Sequence, residues 1–184
     1  MSRPALLKKT VALMPVAAAA LAFAACAAPL PQTEGTGAPA PQFALTSVTG
    51  RTERLVDFRG RVIVLELWAV WCEACEDSIP FFQAMQGRYN RRYFEVVGVN
   101  EDEERDAVTQ YARSHHMNYT VLVDPSRRLL GELGADSLPT TLVVDTHGLV
   151  RGRWMGYNSK NAAEIEATVK ALLGARAEAP VQAP

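Results

Sequence analysis

Cys72 and Cys75 stand three positions apart in the run Trp71-Cys72-Glu73-Ala74-Cys75. At that spacing two side chains share one face of a helix, and they can close a small-ring disulfide with little backbone movement. The run falls where an apolar strand-like segment ending at Trp68 gives way to a helical pattern. A cysteine at a helix N-terminus meets unpaired N–H groups and the positive end of the helix dipole, and both favour the thiolate. The thiolate is the species that attacks a disulfide. Cys72 is therefore expected to be the exposed nucleophile, and Cys75, one turn further in, the more buried thiol that resolves the mixed disulfide. A bare pair is also compatible with half of a zinc site or with a structural bridge. There is no second pair, and His115 and His116 are adjacent, so they project in different directions and do not complete a ligand set. The strand-to-helix context favours redox chemistry over a structural bridge, and no metal or organic cofactor is expected.

Glu66 lies six residues before Cys72, among Val64, Leu65 and Leu67. A carboxyl in such surroundings should have a raised pKa and can take the proton of the Cys75 thiol in the resolving step. The alternative is that strand alternation turns Glu66 to solvent or into a salt bridge. Trp71 reads as a surface platform beside the pair, with Trp68 packed beneath it.

Strands and helices alternate around this motif. Residues 43–48 and 52–55 read as a hairpin turning at Thr49-Gly50. Residues 61–68, with the run Val62-Ile63-Val64-Leu65, read as a central strand covered on both faces. A helix follows over 75–89, with Ile79, Phe82, Met85 and Tyr89 at spacings of three and four. Then come a strand at 94–99, a charged amphipathic helix at 103–116, a short strand at 120–123, and a helix from Asp124-Pro125 to Leu133 closed by Gly134. Strands at 140–144 and 149–155 flank the turn Asp145 to Gly148, and a last helix runs over 161–173. This order predicts a mixed sheet between helix layers.

Two segments carry a resemblance. Leu67 to Cys75, with Pro80 five residues beyond the second cysteine, resembles the thioredoxin active-site segment. Far downstream, Ser137-Leu138-Pro139-Thr140-Thr141 is similar to the cis-proline loop of that fold, and Gly148 and Gly156 fall where its terminal hairpin has glycines. Leu122 to Pro125, with the extra helix and strand before it, resembles the TlpA-like branch, which includes ResA-type proteins and cytochrome c biogenesis thioredoxins. The resemblance implies a thioredoxin-like α/β domain over 43–174, with a mixed central sheet flanked by helices, an N-terminal β-hairpin and a central αβ insertion. It implies a cis Leu138–Pro139 bond beside Cys72, where exposed backbone pairs with a substrate strand. It also implies an exported, membrane-tethered thiol–disulfide oxidoreductase. The partners it implies are protein disulfides, including apocytochrome c haem-site cysteines, and a membrane dithiol protein that donates electrons. Members often carry a buried acid where Glu66 stands, and ResA-like proteins carry Glu where Glu73 stands.

Glu73 disfavours the Cys72 thiolate by like charge. Strong oxidants stabilise that thiolate, with potentials near about −120 mV against about −270 mV for a thioredoxin, so this motif leans reducing. The alternative for Glu73 is a solvated acid at a helix start. Ala74 departs from the proline that many relatives have before the second cysteine. An exported oxidase or isomerase using the same pair, and a non-enzymatic redox-sensing or copper-handling lipoprotein, are the other readings.

The ends read differently from the domain. Residues 1–26 resemble an export signal, with Arg3, Lys8 and Lys9 ahead of an uncharged run from Val11 to Ala25. That run is shorter than the roughly 20 residues that span a bilayer. Leu21 to Cys26 resembles a lipobox, which makes Cys26 a lipidation candidate, although Phe23 stands where Leu is usual. Cleavage after Ala24 by an ordinary signal peptidase, or an uncleaved anchor, are the other options. Ala27 lacks the acid that retains a lipoprotein at an inner membrane. Residues 27–42, with four prolines, read as a flexible linker, and 175–184 as a loose tail.

The chain of 184 residues is 48% hydrophobic with a net charge of −1, which excludes wholesale disorder and argues against a nucleic-acid platform. Loss of the leader, with its three cations, leaves 16 Lys+Arg against 20 Asp+Glu. A monomer is expected. The odd count of three cysteines then divides into a working pair and Cys26.

Overall fold

The computed structural model describes residues 37–174. The expected leader, Cys26, the first part of the expected linker and the tail from 175 lie outside the described residues. A seven-stranded sheet is assembled from β1 (Ala44–Ser47), β2 (Thr52–Arg54), β3 (Val62–Trp68), β4 (Phe94–Asn100), β5 (Thr120–Val123), β6 (Thr140–Val144) and β7 (Val150–Met155), in the order β2-β1-β5-β4-β3-β6-β7. Pairings β3–β4 and β4–β5 are parallel, and the others are antiparallel. The helices are α1 (Glu73–Arg88), α2 (Arg105–Ser114), α3 (Arg128–Glu132) and α4 (Ser159–Leu173), with a single 3-10 turn at Leu55–Phe58.

The apolar runs set the strand order. Every residue of β3, β4 and β6 is buried, as strands covered on both faces require, whereas the edge strand β7 alternates buried and open positions. Val62, Val64 and Trp68 of β3 pack with Phe82 and Met85 of α1, Val108 and Ala112 of α2, and Ile165 and Val169 of α4. The alternate residues Ile63, Leu65 and Leu67 pack with Phe43, Leu55, Phe58 and Leu129. The sheet therefore carries three helices on one face. The other face is covered more lightly, by α3, the 3-10 turn and the entering chain. Among the described residues no helix is long and apolar enough to cross a membrane.

Two sequence expectations change. Residues 37–42, read as the end of a flexible linker, pair with the β7 edge instead. Gly37 N donates to Val150 O at 3.1 Å, Ala40 N to Gly148 O at 2.9 Å, and Val150 N to Ala38 O at 2.8 Å. These are main-chain bonds, which composition does not reveal, and they bury Ala40. The helix expected over 124–133 is reduced to five residues. Asp124 accepts from Ser126 Oγ at 2.7 Å and from Leu129 N at 2.9 Å, and Arg127 takes a left-handed φ of 54°, so the first four residues form a capped turn.

Candidate active site

The last residue of β3, Trp68, is in register with Asn100 at the end of β4. Beyond them the two chains remain tied. Glu101 N donates to Trp68 O at 2.9 Å, and Val70 N donates to Asp102 Oδ2 at 2.7 Å. The same Asp102 oxygen accepts from Asn100 Nδ2 at 2.9 Å. These bonds hold the segment between β3 and α1, so that Cys72 becomes the N-cap of α1. Its Sγ accepts from Cys75 N at 3.2 Å, satisfying one of the helix's unpaired donors. Cys72 and Cys75 form a disulfide with Cα atoms 5.2 Å apart. Cys72 is 8% exposed and Cys75 is fully buried. The order of burial follows the expectation, but Cys72 is far less open than expected in this oxidised form, because it lies in the wall of a small cavity.

That cavity, of about 240 Å³, is lined by Trp71, Cys72, Glu101, Arg127, Asp136 and Leu138 among others. Trp71 is 63% exposed and forms its open rim, while Trp68 is fully buried below. The Leu138–Pro139 bond is cis. Pro139 O accepts from Gly156 N at 2.8 Å, with Gly156 at a φ of 70°, and Ser137 O accepts from Thr140 Oγ1 at 2.7 Å. Leu138, between them, makes no backbone hydrogen bond within the described residues and lines the cavity beside Cys72. Glu73 is exposed in the first turn of α1, together with Glu76, where negative charge complements the helix dipole.

Glu66 faces the α1 side of the sheet with Val64 and Trp68 as its neighbours on that side. It is fully buried, and burial pushes its pKa up to about 8, against a partial lowering by its hydrogen bond with Ser78. It contacts no cation and no solvent, so neither the salt bridge nor the solvent-facing alternative holds. Ser78 Oγ lies 2.5 Å from Glu66 Oε1 and 2.7 Å from the carbonyl oxygen of Cys75, and Glu66 Oε2 has no partner. A second acid, Glu101, is also fully buried with both carboxyl oxygens unpartnered. Burial first, then Asp124, pushes its pKa to about 8, with Asp102 adding and Arg127 opposing.

Sequence reading brought Cys72, Cys75, Glu66, Trp71, Leu138 and Pro139 to one end of the sheet. It missed Ser78, Glu101, Asp102 and Arg127. Ser78 carried a signal, since it stands three residues after Cys75 and so on the same helical face. Glu101 and Asp102 fall between the expected strand at 94–99 and the expected helix at 103–116, where no local pattern marked them. Among the described residues no group of three or more His, Cys, Asp or Glu side chains could hold a metal ion.

Known proteins place this arrangement. The AhpC/TSA family model matches residues 36–153. The thiol-disulfide oxidoreductase ResA of Geobacillus thermodenitrificans is 31% identical over 115 residues, 62% of this chain and 66% of that protein. The structure of a thiol:disulfide interchange protein DsbE from Chlorobium tepidum superposes with a TM-score of 0.71 at 32% identity, covering 75% of this chain and 97% of that one. The exposed lipoprotein thioredoxin Etrx1 of Streptococcus pneumoniae superposes with a TM-score of 0.62 at 30% identity, covering 72% and 100%.

Proposed function

The chain belongs to the AhpC/TSA family, and from that premise we propose that it is a thiol–disulfide oxidoreductase that works as a reductase of protein disulfides through Cys72 and Cys75. The observation that carries the reading is the placement of the pair. Cys72 caps the N-terminus of α1 in the wall of a cavity, the cis Leu138–Pro139 loop lies beside it, and the buried acid Glu66 is linked through Ser78 to the Cys75 carbonyl. In the reduced protein the Cys72 thiolate, favoured by the helix N-terminus, attacks one sulfur of a substrate disulfide. The substrate's other sulfur leaves as a thiolate and takes a proton from solvent. Cys75 is sealed from water, so its proton goes to a Glu66 carboxylate. A carboxyl at about 8 is matched to an ordinary thiol near about 8.5. The Cys75 thiolate then attacks the Cys72 sulfur, the substrate leaves reduced by two electrons, and the protein is left with the disulfide seen here. The unpartnered backbone of Leu138 offers a substrate strand its hydrogen bonds, and Trp71 offers it an apolar surface.

Glu73 supports the reducing direction, because its charge opposes the thiolate that strong oxidants stabilise. The reading extends to an exported monomer tethered by lipid on Cys26, re-reduced by a membrane dithiol protein and acting on envelope proteins, including the haem-site cysteines of apocytochrome c. The ResA and DsbE relatives and the lipoprotein neighbour support that extension by likeness. Equilibration with glutathione or dithiothreitol buffers tests the direction. A reductase gives a potential near about −270 mV, and a value near about −120 mV would replace this reading with that of an oxidase. Cys75→Ser should accumulate a mixed disulfide through Cys72, and Cys72→Ser should not.

A further inference from the structure

We propose that Ser78 is a positioning residue for the Glu66–Cys75 proton step, its hydroxyl coupling the ionisation of Glu66 to the first turn of α1. The proposal rests on the reading above in which Glu66 accepts the Cys75 proton. It begins from a count of hydrogens. Ser78 Oγ touches two acceptor groups, Glu66 Oε1 at 2.5 Å and the Cys75 carbonyl oxygen at 2.7 Å. A serine hydroxyl has one hydrogen, and a carbonyl oxygen has none to give. Both contacts are well-directed hydrogen bonds only when Glu66 is protonated and donates to Ser78, which in turn donates to Cys75 O. When Glu66 is ionised, the Ser78 hydrogen must turn to the carboxylate, and the Cys75 carbonyl loses that bond. The hydroxyl therefore has two settings, selected by the proton that Glu66 gains from Cys75.

The site has no competing control. Ser78, Glu66 and Cys75 are all fully buried, so water does not satisfy either setting. The titratable side chains coupled to Glu66 are Tyr119, entering β5, and Tyr157, ahead of α4. Both phenols are pushed above their ordinary range, chiefly by burial, and remain neutral in the working range. No cation faces Glu66, so the Ser78 hydroxyl is its one stabilising donor. A hydrogen bond to a charged group is among the strong ones, and its loss raises the Glu66 pKa and empties the carboxylate that the resolving step needs.

The test uses the full-length reduced protein and a chromogenic nitrobenzoate disulfide. Cys72 attack releases one equivalent of coloured thiolate, and Cys75 resolution releases the second. Each phase is followed between about pH 6 and 9, which brackets the carboxyl and the thiol. Ser78→Ala should slow the second phase by about tenfold at neutral pH and move its pH midpoint up by about one unit, with the first phase unchanged. In a Glu66→Gln background the same Ser78→Ala should change nothing further. An equal slowing by Ser78→Ala with and without Glu66, or an unmoved midpoint, overturns the proposal. Ser78→Thr, which keeps the hydroxyl, should restore the midpoint; if it does not fold, the Ser78→Ala and Glu66→Gln cycle decides alone. A second phase unaffected by Glu66→Gln overturns the underlying reading of Glu66 itself.

Discussion

Glu66→Gln should flatten the pH dependence of folding stability in the oxidised protein. Burial raises the Glu66 pKa from an ordinary 4.5 to about 8. The folded state thus holds this proton more tightly than the unfolded state does. Its contribution to stability is full below about pH 4.5 and is lost as pH rises through about 8. At about 1.4 kcal/mol per unit, the loss reaches about 5 kcal/mol when the interval is crossed, of which about 3 kcal/mol has gone by neutral pH. Glutamine does not titrate, and its amide suffers a fixed cost for any unpaired donor, about 1–3 kcal/mol. The sign of the change at any one pH is therefore not diagnostic, but the slope is. The gap between variant and wild type should widen in the variant's favour by about 4 kcal/mol from pH 5 to pH 9.

Urea unfolding of the oxidised proteins, followed by far-ultraviolet circular dichroism at several pH values, measures this. With a slope of about 2 kcal/mol per molar urea, the midpoints should separate by about 2 M across the range. The variant keeps a residual slope, because Glu101 is also raised to about 8 and titrates in the same window with the same sign. Asp145 and Glu166, whose pKa values are lowered in the folded state, act in the opposite sense at acid pH and stay out of the window. Parallel lines for wild type and Glu66→Gln would refute the reasoning, since they would mean that Glu66 binds its proton no more tightly folded than unfolded.

Two further substitutions probe the frame of the site. Asp102→Ala removes the acceptor that holds Val70 N at 2.7 Å; stability should fall by about 1–3 kcal/mol, with Asp102→Asn intermediate, measured by urea midpoint. Gly152→Ala places a Cβ 2.2 Å from Trp154 Cη2; overpacking should cost about 1–3 kcal/mol, whereas Gly131→Ala, which meets nothing within 4 Å, should leave the thermal midpoint unchanged or slightly raised.

Much of the site was legible because its signals are local. The apolar run Val62 to Leu65 of β3, the helical spacing of Ile79, Phe82 and Met85, and the cysteine pair between them depend on neighbours in the sequence, and the structure places them accordingly. The cis Leu138–Pro139 bond came from resemblance, since nothing in a Leu-Pro pair fixes its isomer. Features set by tertiary contacts were hidden. The docking of residues 37–42 is made by main-chain bonds to β7, so a Pro- and Ala-rich composition masked it. The shortened α3 depends on where Asp124 spends its side chain and on a left-handed Arg127. Ser78 and Glu66 meet across twelve residues, helix onto strand, and only the fold brings them within 2.5 Å.

Glu95 supplies the internal comparison for these buried acids. It stands near the start of β4, is 2% exposed, and is fully supplied with partners. Arg91 and Thr120 Oγ1 bond one of its oxygens, and Arg61 lies 3.3 Å from the other. That is how a carboxyl group is normally kept in a protein interior, with both oxygens paired. Glu66 and Glu101, on the same two adjacent chains but at their C-terminal ends, have no cation within bonding distance and three orphaned oxygens between them. The fold thus supplies arginines to the carboxyl of one buried glutamate, gives Glu66 none, and gives Glu101 only Arg127, whose Nε bonds the Glu101 main-chain oxygen rather than its carboxyl. Uncompensated burial is unfavourable wherever it occurs, and its concentration at one end of the sheet is the pattern expected where proton affinity is tuned for chemistry rather than for stability. Pairing Glu66 with a cation would lower its pKa far below that of a thiol and remove the match on which the proposed transfer from Cys75 depends. The missing cation is therefore as much a part of the site as the two sulfurs.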